Sequence, residues 1–269
     1  MKTDQSDRTA LVTGSVQGIG FEIAKALASA GARIGVHGLA DASQIEEATT
    51  ALREAGAADA IFFDADLRDV DAIERMMNEA ENWSGGLDIL VNNAGVQKTV
   101  SYAEADAATW DLVIAVNLSG AYHTMRTALP RMAKRGFGRV INIASVHGLV
   151  ASANKAPYVA SKHGLVGMSR VAALEYASTG NRASGGVTVN CICPGWTETA
   201  LIEPQINARA EQFGGDRDQG IADLLAEKQP SRRMSNPSEI GELALWLCNP
   251  VAHNVTGTAI PVDGGWTAQ

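Results

Sequence analysis

The chain has 269 residues, 46% of them hydrophobic and 19% charged, and a formal net charge of −8. This suits one large α/β domain with a sizeable core, and an acidic balance without a Lys/Arg cluster argues against a nucleic-acid surface. No apolar run approaches a membrane span and the start, MKTDQSDR, is polar, so a cytoplasmic protein without membrane contact is expected.

Short apolar strands alternate with helical segments. Thr9–Thr13 predicts a strand that runs into Gly14-Ser15-Val16-Gln17-Gly18-Ile19-Gly20, and FEIAKALASAGA predicts the helix after it. Strands are expected at Arg33–His37, Ala60–Phe63 and Ile89–Val91, separated by helices at Ser43–Ala55 and Val70–Trp83. Helical segments at Ala107–Leu118 and Tyr122–Lys134 precede a strand, Arg139–Ala144, that delivers Ser145. A helix at Tyr158–Ala177 and a strand at Val187–Ile192 follow. Thr199–Leu225 reads as a polar insertion, helical in part and mobile, before a helix at Pro237–Leu247 and a last strand at Thr258–Val262. Strict β/α alternation without a linker implies a single Rossmann-like domain over 1–269: a doubly wound parallel sheet with helices on both faces.

The three cysteines, Cys191, Cys193 and Cys248, lack the neighbours a metal site needs. Cys191 and Cys193 alternate within VTVNCICP, which puts both on one strand face as buried reduced thiols.

Several strand ends carry ligand-binding features. Gly14, Gly18 and Gly20 sit between strand and helix, where backbone N–H groups and the helix dipole favour a pyrophosphate. The spacing is not G-x-G-x-x-G, and a purely structural loop is the alternative. Asp66 suits an adenine amino group, with Leu67 flanking the ring, and Asn93-Ala94-Gly95 allows close backbone approach. All fall on the carboxyl edge of one sheet, where open α/β folds bind ligands. No Lys or Arg stands at Val16 or just after the second strand, where a 2′-phosphate would need one, and Asp41 is far along for a ribose partner. The expectation is NAD.

Ala144–Lys162, ASVHGLVASANKAPYVASK, holds Ser145, Tyr158 and Lys162. A helix from Tyr158 puts Tyr158 and Lys162 one turn apart, where an ammonium favours the phenolate and allows proton exchange near neutral pH.

Thr13-Gly14-x3-Gly18-Ile19-Gly20, Asn92-Asn93-Ala94-Gly95, Asn117, Ser145, Tyr158-x3-Lys162 and Pro194-Gly195 together resemble the short-chain dehydrogenase/reductase family, in order and spacing, over almost the whole chain. The resemblance implies a tyrosine acid/base (Tyr158), a serine that polarises the substrate oxygen (Ser145), a lysine that holds the nicotinamide ribose and lowers the tyrosine pKa (Lys162), and an asparagine that anchors a relay water (Asn117). Pro194, Gly195, Thr197 and Thr199 then belong with the cofactor, and a homotetramer is implied.

Within the family the chain is most similar to the branch acting on D-3-hydroxybutyrate. That similarity rests on Gln97, His147, Lys155, Trp196, Gln205 and the ending VDGGWTAQ with Trp266. It implies that Gln97, His147, Lys155 and Gln205 hold the carboxylate of a small anionic substrate, 3-hydroxybutyrate or acetoacetate. Trp196 and Trp266 then shape the pocket at its methyl end, and Ile202–Leu225 closes as a lid. Four donors from separate segments is what orienting a carboxylate requires. The plain alternatives are a solvated Lys155, a satisfied loop His147, a solvated Gln205 and tryptophans used for packing. His37 shows no partner pattern. Two rival functions stand beside this one: an NADPH-dependent reductase of 3-oxoacyl thioesters, and a nucleotide-sensing protein without turnover.

Overall fold

Alternate residues of each central strand enter different cores, which is why the strands are unbroken apolar runs. Ala10 and Val12 pack into one core while Leu11 packs into the other; Ile89 and Val91 are divided from Leu90 in the same way. The computed structural model describes residues 4–268. Its strands are β1 (Thr9–Val12), β2 (Arg33–Val36), β3 (Asp59–Phe62), β4 (Ile89–Asn92), β5 (Phe137–Ile143), β6 (Gly186–Pro194) and β7 (Ala259–Val262). They form one parallel sheet in the order β3-β2-β1-β4-β5-β6-β7.

The helices are α1 (Gly18–Ser29), α2 (Ala42–Ala55), α3 (Val70–Ser84), α4 (Ala107–Ile114), α5 (Gly120–Arg135), α6 (Ala156–Tyr176), α7 (Glu203–Ala210), α8 (Arg217–Lys228) and α9 (Pro237–Cys248). One face of the sheet buries Ile23 and Leu27 of α1, Leu52 of α2 and Ile240 and Leu247 of α9. The other buries Ile73 and Met76 of α3, Met125 and Leu129 of α5 and Ala172 of α6. The chain is thus a single Rossmann-like domain. The direction in which successive strands are added to the sheet reverses between β1 and β4, the switch point at which such sheets open a crevice for ligands. Among the described residues no helix is long and apolar enough to cross a membrane.

Three sequence expectations change. The first helix begins at Gly18 rather than Phe21, so the last two glycines lie inside its first turn. The expected helices at Ala107–Leu118 and Tyr122–Lys134 join as α4 and α5 through a π-helical turn, Ala115–Ser119, which contains Asn117. A single π turn within an α-helix is a common mark of a functional position.

The insertion is also more ordered than its polarity suggests. It is almost entirely helical: a short turn at Ala200–Ile202, then α7, a turn at Glu211–Phe213, and α8, which runs on to Lys228. The underside is apolar, with Ile202, Ile206, Leu224 and Leu225 buried against Val146, Trp196 and Trp266. Sparse apolar residues at helical spacing were enough to dock it.

Candidate active site

A cavity of about 820 Å³ opens along the carboxyl edge of β1, β4, β5 and β6. The residues expected at the cofactor, Gly14, Gly18, Ile19, Asp66, Leu67, Asn93, Ala94 and Gly95, continuing to Pro194, Gly195, Thr197 and Thr199, line one part of it. Ser145, Tyr158, Lys162, Gln97, His147, Lys155, Trp196 and Trp266 line the rest. Gly20, Asn117 and Gln205 stand behind this wall.

The glycine loop is held by its neighbours. Thr13 Oγ1 accepts from the backbone N–H groups of Asn93 (3.0 Å) and Ala94 (3.1 Å). Asn93 Nδ2 donates back to the carbonyls of Thr13 (3.0 Å) and Gly14 (2.9 Å), so this amide secures the loop. A Cβ at Gly20 would collide with Asn93 Nδ2 and with Gly14 O, and Gly14 has φ +65°. Only glycine lets helix, loop and β4 meet so closely, leaving a bare backbone cradle at a helix N-terminus that fits a dinucleotide pyrophosphate.

His37, without an assigned role in the sequence reading, joins this assembly. Its Nδ1 accepts from Gly14 N–H (3.3 Å), and its Nε2 lies 3.0 Å from Ala65 O. A carbonyl can only accept, so the proton sits on Nε2. Burial pushes the His37 pKa below the usual histidine value, against the Ala65 bond and the Asp64 charge, and the neutral ring is the one that fits.

Asp41 caps α2 by accepting from Gln44 N–H (2.9 Å) and is committed there. Asp66 is already gripped by Arg68 at both carboxylate oxygens, which holds its pKa at about 2. The other residues lining the cavity beyond β2 are His37, Gly38 and Leu39, with Gln17 across from them. None of these four carries a cation for a 2′-phosphate; Arg68, which also lines the cavity, has its charge paired with Asp66.

At the centre, α6 begins at Ala156. Lys155 is its N-cap, Pro157 and Tyr158 lie in its first turn, and the next turn carries Lys162. Tyr158 and Lys162 are both buried, and Lys162 Nζ donates to Ile143 O at 2.7 Å while standing 5.6 Å from the Tyr158 ring. Burial pushes the Tyr158 phenol up to about 12, only partly opposed by a bond to Ser145. Burial also lowers Lys162 to about 8. This differs from the expected phenolate near neutral pH: burial raises the phenol, and what opposes it is the Ser145 bond rather than the Lys162 ammonium. Asn117 acts here as a clamp, with Oδ1 accepting from Val96 N–H (2.8 Å) and Nδ2 donating to Val96 O (2.9 Å).

The far end is built from side chains. Lys155, only 7% exposed, donates to Gln205 Oε1 at 2.8 Å, and burial brings its pKa down to about 8. The backbone bond from Val100 N–H to Asn154 O ties the loop that follows Gln97 to the residue before Lys155, and Gln97 and Lys155 line the same cavity. His147 packs edge-on against both Tyr158 and Trp266, and burial with the Lys155 charge lowers its pKa to about 3. It is therefore a neutral ring. Trp196 and Trp266 lie 5.6 Å apart. Among the described residues three buried polar atoms here have no partner: His147 Nδ1, Trp196 Nε1 and Gln205 Nε2. Trp196 was expected only to shape the pocket, yet its indole N–H is an unspent donor.

The sequence reading also passed over Lys228. Its Nζ donates to Ser152 Oγ at 3.0 Å and lies 5.6 Å from the Trp266 ring. Nothing in its local sequence, AEKQP, distinguishes it from a solvated helix lysine.

Known proteins give the arrangement a family. A family profile described as enoyl-(acyl carrier protein) reductase matches residues 14–267. The chain is 47% identical to a D-beta-hydroxybutyrate dehydrogenase of Cupriavidus necator, over 97% of this chain and 98% of that one. It is 43% identical to another of Rhizobium meliloti, over 97% and 99%. A solved structure from Sinorhizobium meliloti, provisionally described as a short-chain alcohol dehydrogenase, superposes with a TM-score of 0.86 at 36% identity, covering 100% of both chains. The chain therefore belongs to the short-chain dehydrogenase/reductase family of oxidoreductases, whose dehydrogenases use nicotinamide cofactors.

Proposed function

We propose that the protein interconverts D-3-hydroxybutyrate and acetoacetate with NAD. The observation that carries this reading is the set of spare polar atoms beside the tyrosine. Trp196 Nε1, Gln205 Nε2 and His147 Nδ1 are buried without partners next to the buried Lys155 ammonium. Buried polar groups are costly when unpaired, so such a cluster is matched to a compact ligand rich in acceptors. A carboxylate fits, and the two tryptophans leave an apolar wall for a short chain. The same names on two relatives above 40% identity support the choice.

In this reading Lys155 and the Gln205 amide hold the carboxylate, with Gln97 beside them. Tyr158 exchanges the proton of the reacting oxygen: as the phenol it donates to the acetoacetate carbonyl, and as the phenolate, which the Lys162 ammonium and the positive charge of an oxidised nicotinamide would favour, it takes the hydroxyl proton. Ser145 donates to the same oxygen as charge develops on it. Bound nicotinamide dinucleotide supplies the hydride acceptor for C3. The glycine loop holds its pyrophosphate, Lys162 its ribose, and Thr197 and Thr199 its nicotinamide end. Asn117 positions Gly95–Val96 behind it. A cavity without a free cation beyond β2 favours NAD over NADP. Helices α7 and α8 exclude water as a lid. Buried reduced Cys191, Cys193 and Cys248 suit a cytoplasmic setting. Exposed Tyr122, Val171 and Leu174 on α5 and α6 suit assembly into a tetramer, which light scattering on the eluted protein would measure.

One assay tests the reading: NAD reduction with D-3-hydroxybutyrate, beside the L-enantiomer, NADP and acetoacetyl-CoA. Saturable turnover of the D-enantiomer with NAD is expected. Preference for the thioester would replace the substrate, and inactivity with every pair would leave the nucleotide-sensing alternative.

A further inference from the structure

The loop 151–155 meets the insertion at two polar points that differ in what a ligand does to them. One is the bond from Lys155 Nζ to Gln205 Oε1 on α7. Both partners belong to the proposed carboxylate set, so an arriving anion takes over part of their hydrogen-bonding capacity. The other is the bond from Lys228 Nζ, in the last turn of α8, to Ser152 Oγ. Neither of these residues lines the cavity or belongs to the proposed carboxylate set, so a ligand bound there does not compete directly for this bond. Lys228 also backs Trp266, whose ring neighbour Trp196 carries Lys155 at 5.3 Å from its centroid. The substrate end is thus walled by a cation–ring–ring–cation series running from loop to insertion.

We propose that Lys228 is a positioning residue for the substrate: it fastens the end of α8 to loop 151–155 through Ser152 and steadies Trp266, keeping the insertion docked while Lys155 and Gln205 turn to the carboxylate. This rests on the hydroxy-acid reading of the site. Lys228 has a second, electrostatic effect. The charged and titratable groups facing Lys155 are Lys228 and Glu227 from α8 and His147 from the turn after β5. After burial, repulsion by Lys228 is the next cause of the low Lys155 pKa, and Glu227 opposes it.

Two variants separate tether from charge. Lys228→Met removes both, whereas Ser152→Ala removes only the tether. Rates with D-3-hydroxybutyrate and NAD, followed from neutral to alkaline pH, should show KM for the hydroxy acid raised about two- to tenfold in each variant, with kcat little changed. The alkaline rise in KM follows proton loss from Lys155 near pH 8. It should move to higher pH in Lys228→Met alone, because the like charge that favours deprotonation is gone. Amide hydrogen exchange over 203–228, measured without substrate, should quicken in both variants. Unchanged KM in Lys228→Met, or exchange as slow as in the parent protein, overturns the proposal. If the parent protein fails to turn over D-3-hydroxybutyrate, the hydroxybutyrate reading falls by itself, and the exchange experiment still decides the tether.

Discussion

The two ends of the cavity are built by opposite means. The cofactor end is backbone: Gly14, Gly18 and Gly95 offer main chain at the edge of the sheet, and Thr13, Asn93 and His37 lock it with bonds spanning β1, β2, β3 and β4. The substrate end is side chain: Lys155, His147, Gln205 and the two tryptophans come from segments joined by few bonds, under helices that rest on apolar contacts. A backbone cradle anchored to a sheet suits one shape. A chamber of side chains under a docked insertion changes specificity by substitution, with the sheet untouched. Tyr158 lies at the junction and belongs to neither end.

The largest effect should come from that junction. Tyr158→Phe removes the proposed acid/base and should lower kcat roughly 10²–10⁴-fold while NAD binding, read by fluorescence titration, stays near that of the parent. A matching loss of NAD affinity would mean that Tyr158 belongs to the cradle. Ultraviolet titration of the parent without nucleotide should show Tyr158 ionising with a midpoint raised to about 12.

Next are paired losses that tell the two ends apart. Lys155→Met should raise KM for the hydroxy acid roughly 10- to 100-fold, the worth of one charged hydrogen bond, with KM for NAD unchanged. Since the ammonium is lost as pH rises through about 8, kcat/KM in the parent should fall above that pH, and the variant should lack the Lys155 part of the fall. Gly20→Ala should do the reverse, costing about 1–3 kcal/mol of overpacking, weakening NAD binding and lowering Tm. Equal effects of these variants on both ligands would erase the distinction between the ends.

The smallest effect concerns His37. Its neutral ring accepts from Gly14 N–H, and protonation replaces that acceptor with a second N–H. NAD affinity should therefore fall as pH drops below the ordinary histidine range, by about two- to tenfold. His37→Gln should flatten this acid limb relative to the parent. An unchanged limb in the variant would remove His37 from the cradle.

The legibility of the sequence follows the same division. Alternating apolar runs and turn glycines made the parallel sheet readable, because strand period and helix period are local properties of the chain. The glycine loop, Ser145, Tyr158 and Lys162 were also nameable from spacing, since each sits at a strand end or on one helix. The helical insertion was read as polar and mobile because its apolar face is thin and acquires meaning only against Trp196 and Trp266. His37 and Lys228 carried no local mark at all. Their partners are Gly14 and Ala65, 23 and 28 positions away, and Ser152, 76 positions away.

What the sequence determined by itself is the order of the elements, the doubly wound class and the residues proposed for the proton chemistry. Only the tertiary structure decided how those residues are charged. Burial keeps Tyr158 protonated, leaves His147 neutral and holds Lys155 and Lys162 near pH 8. Desolvation depends on everything packed around a group, and no stretch of chain contains its own surroundings.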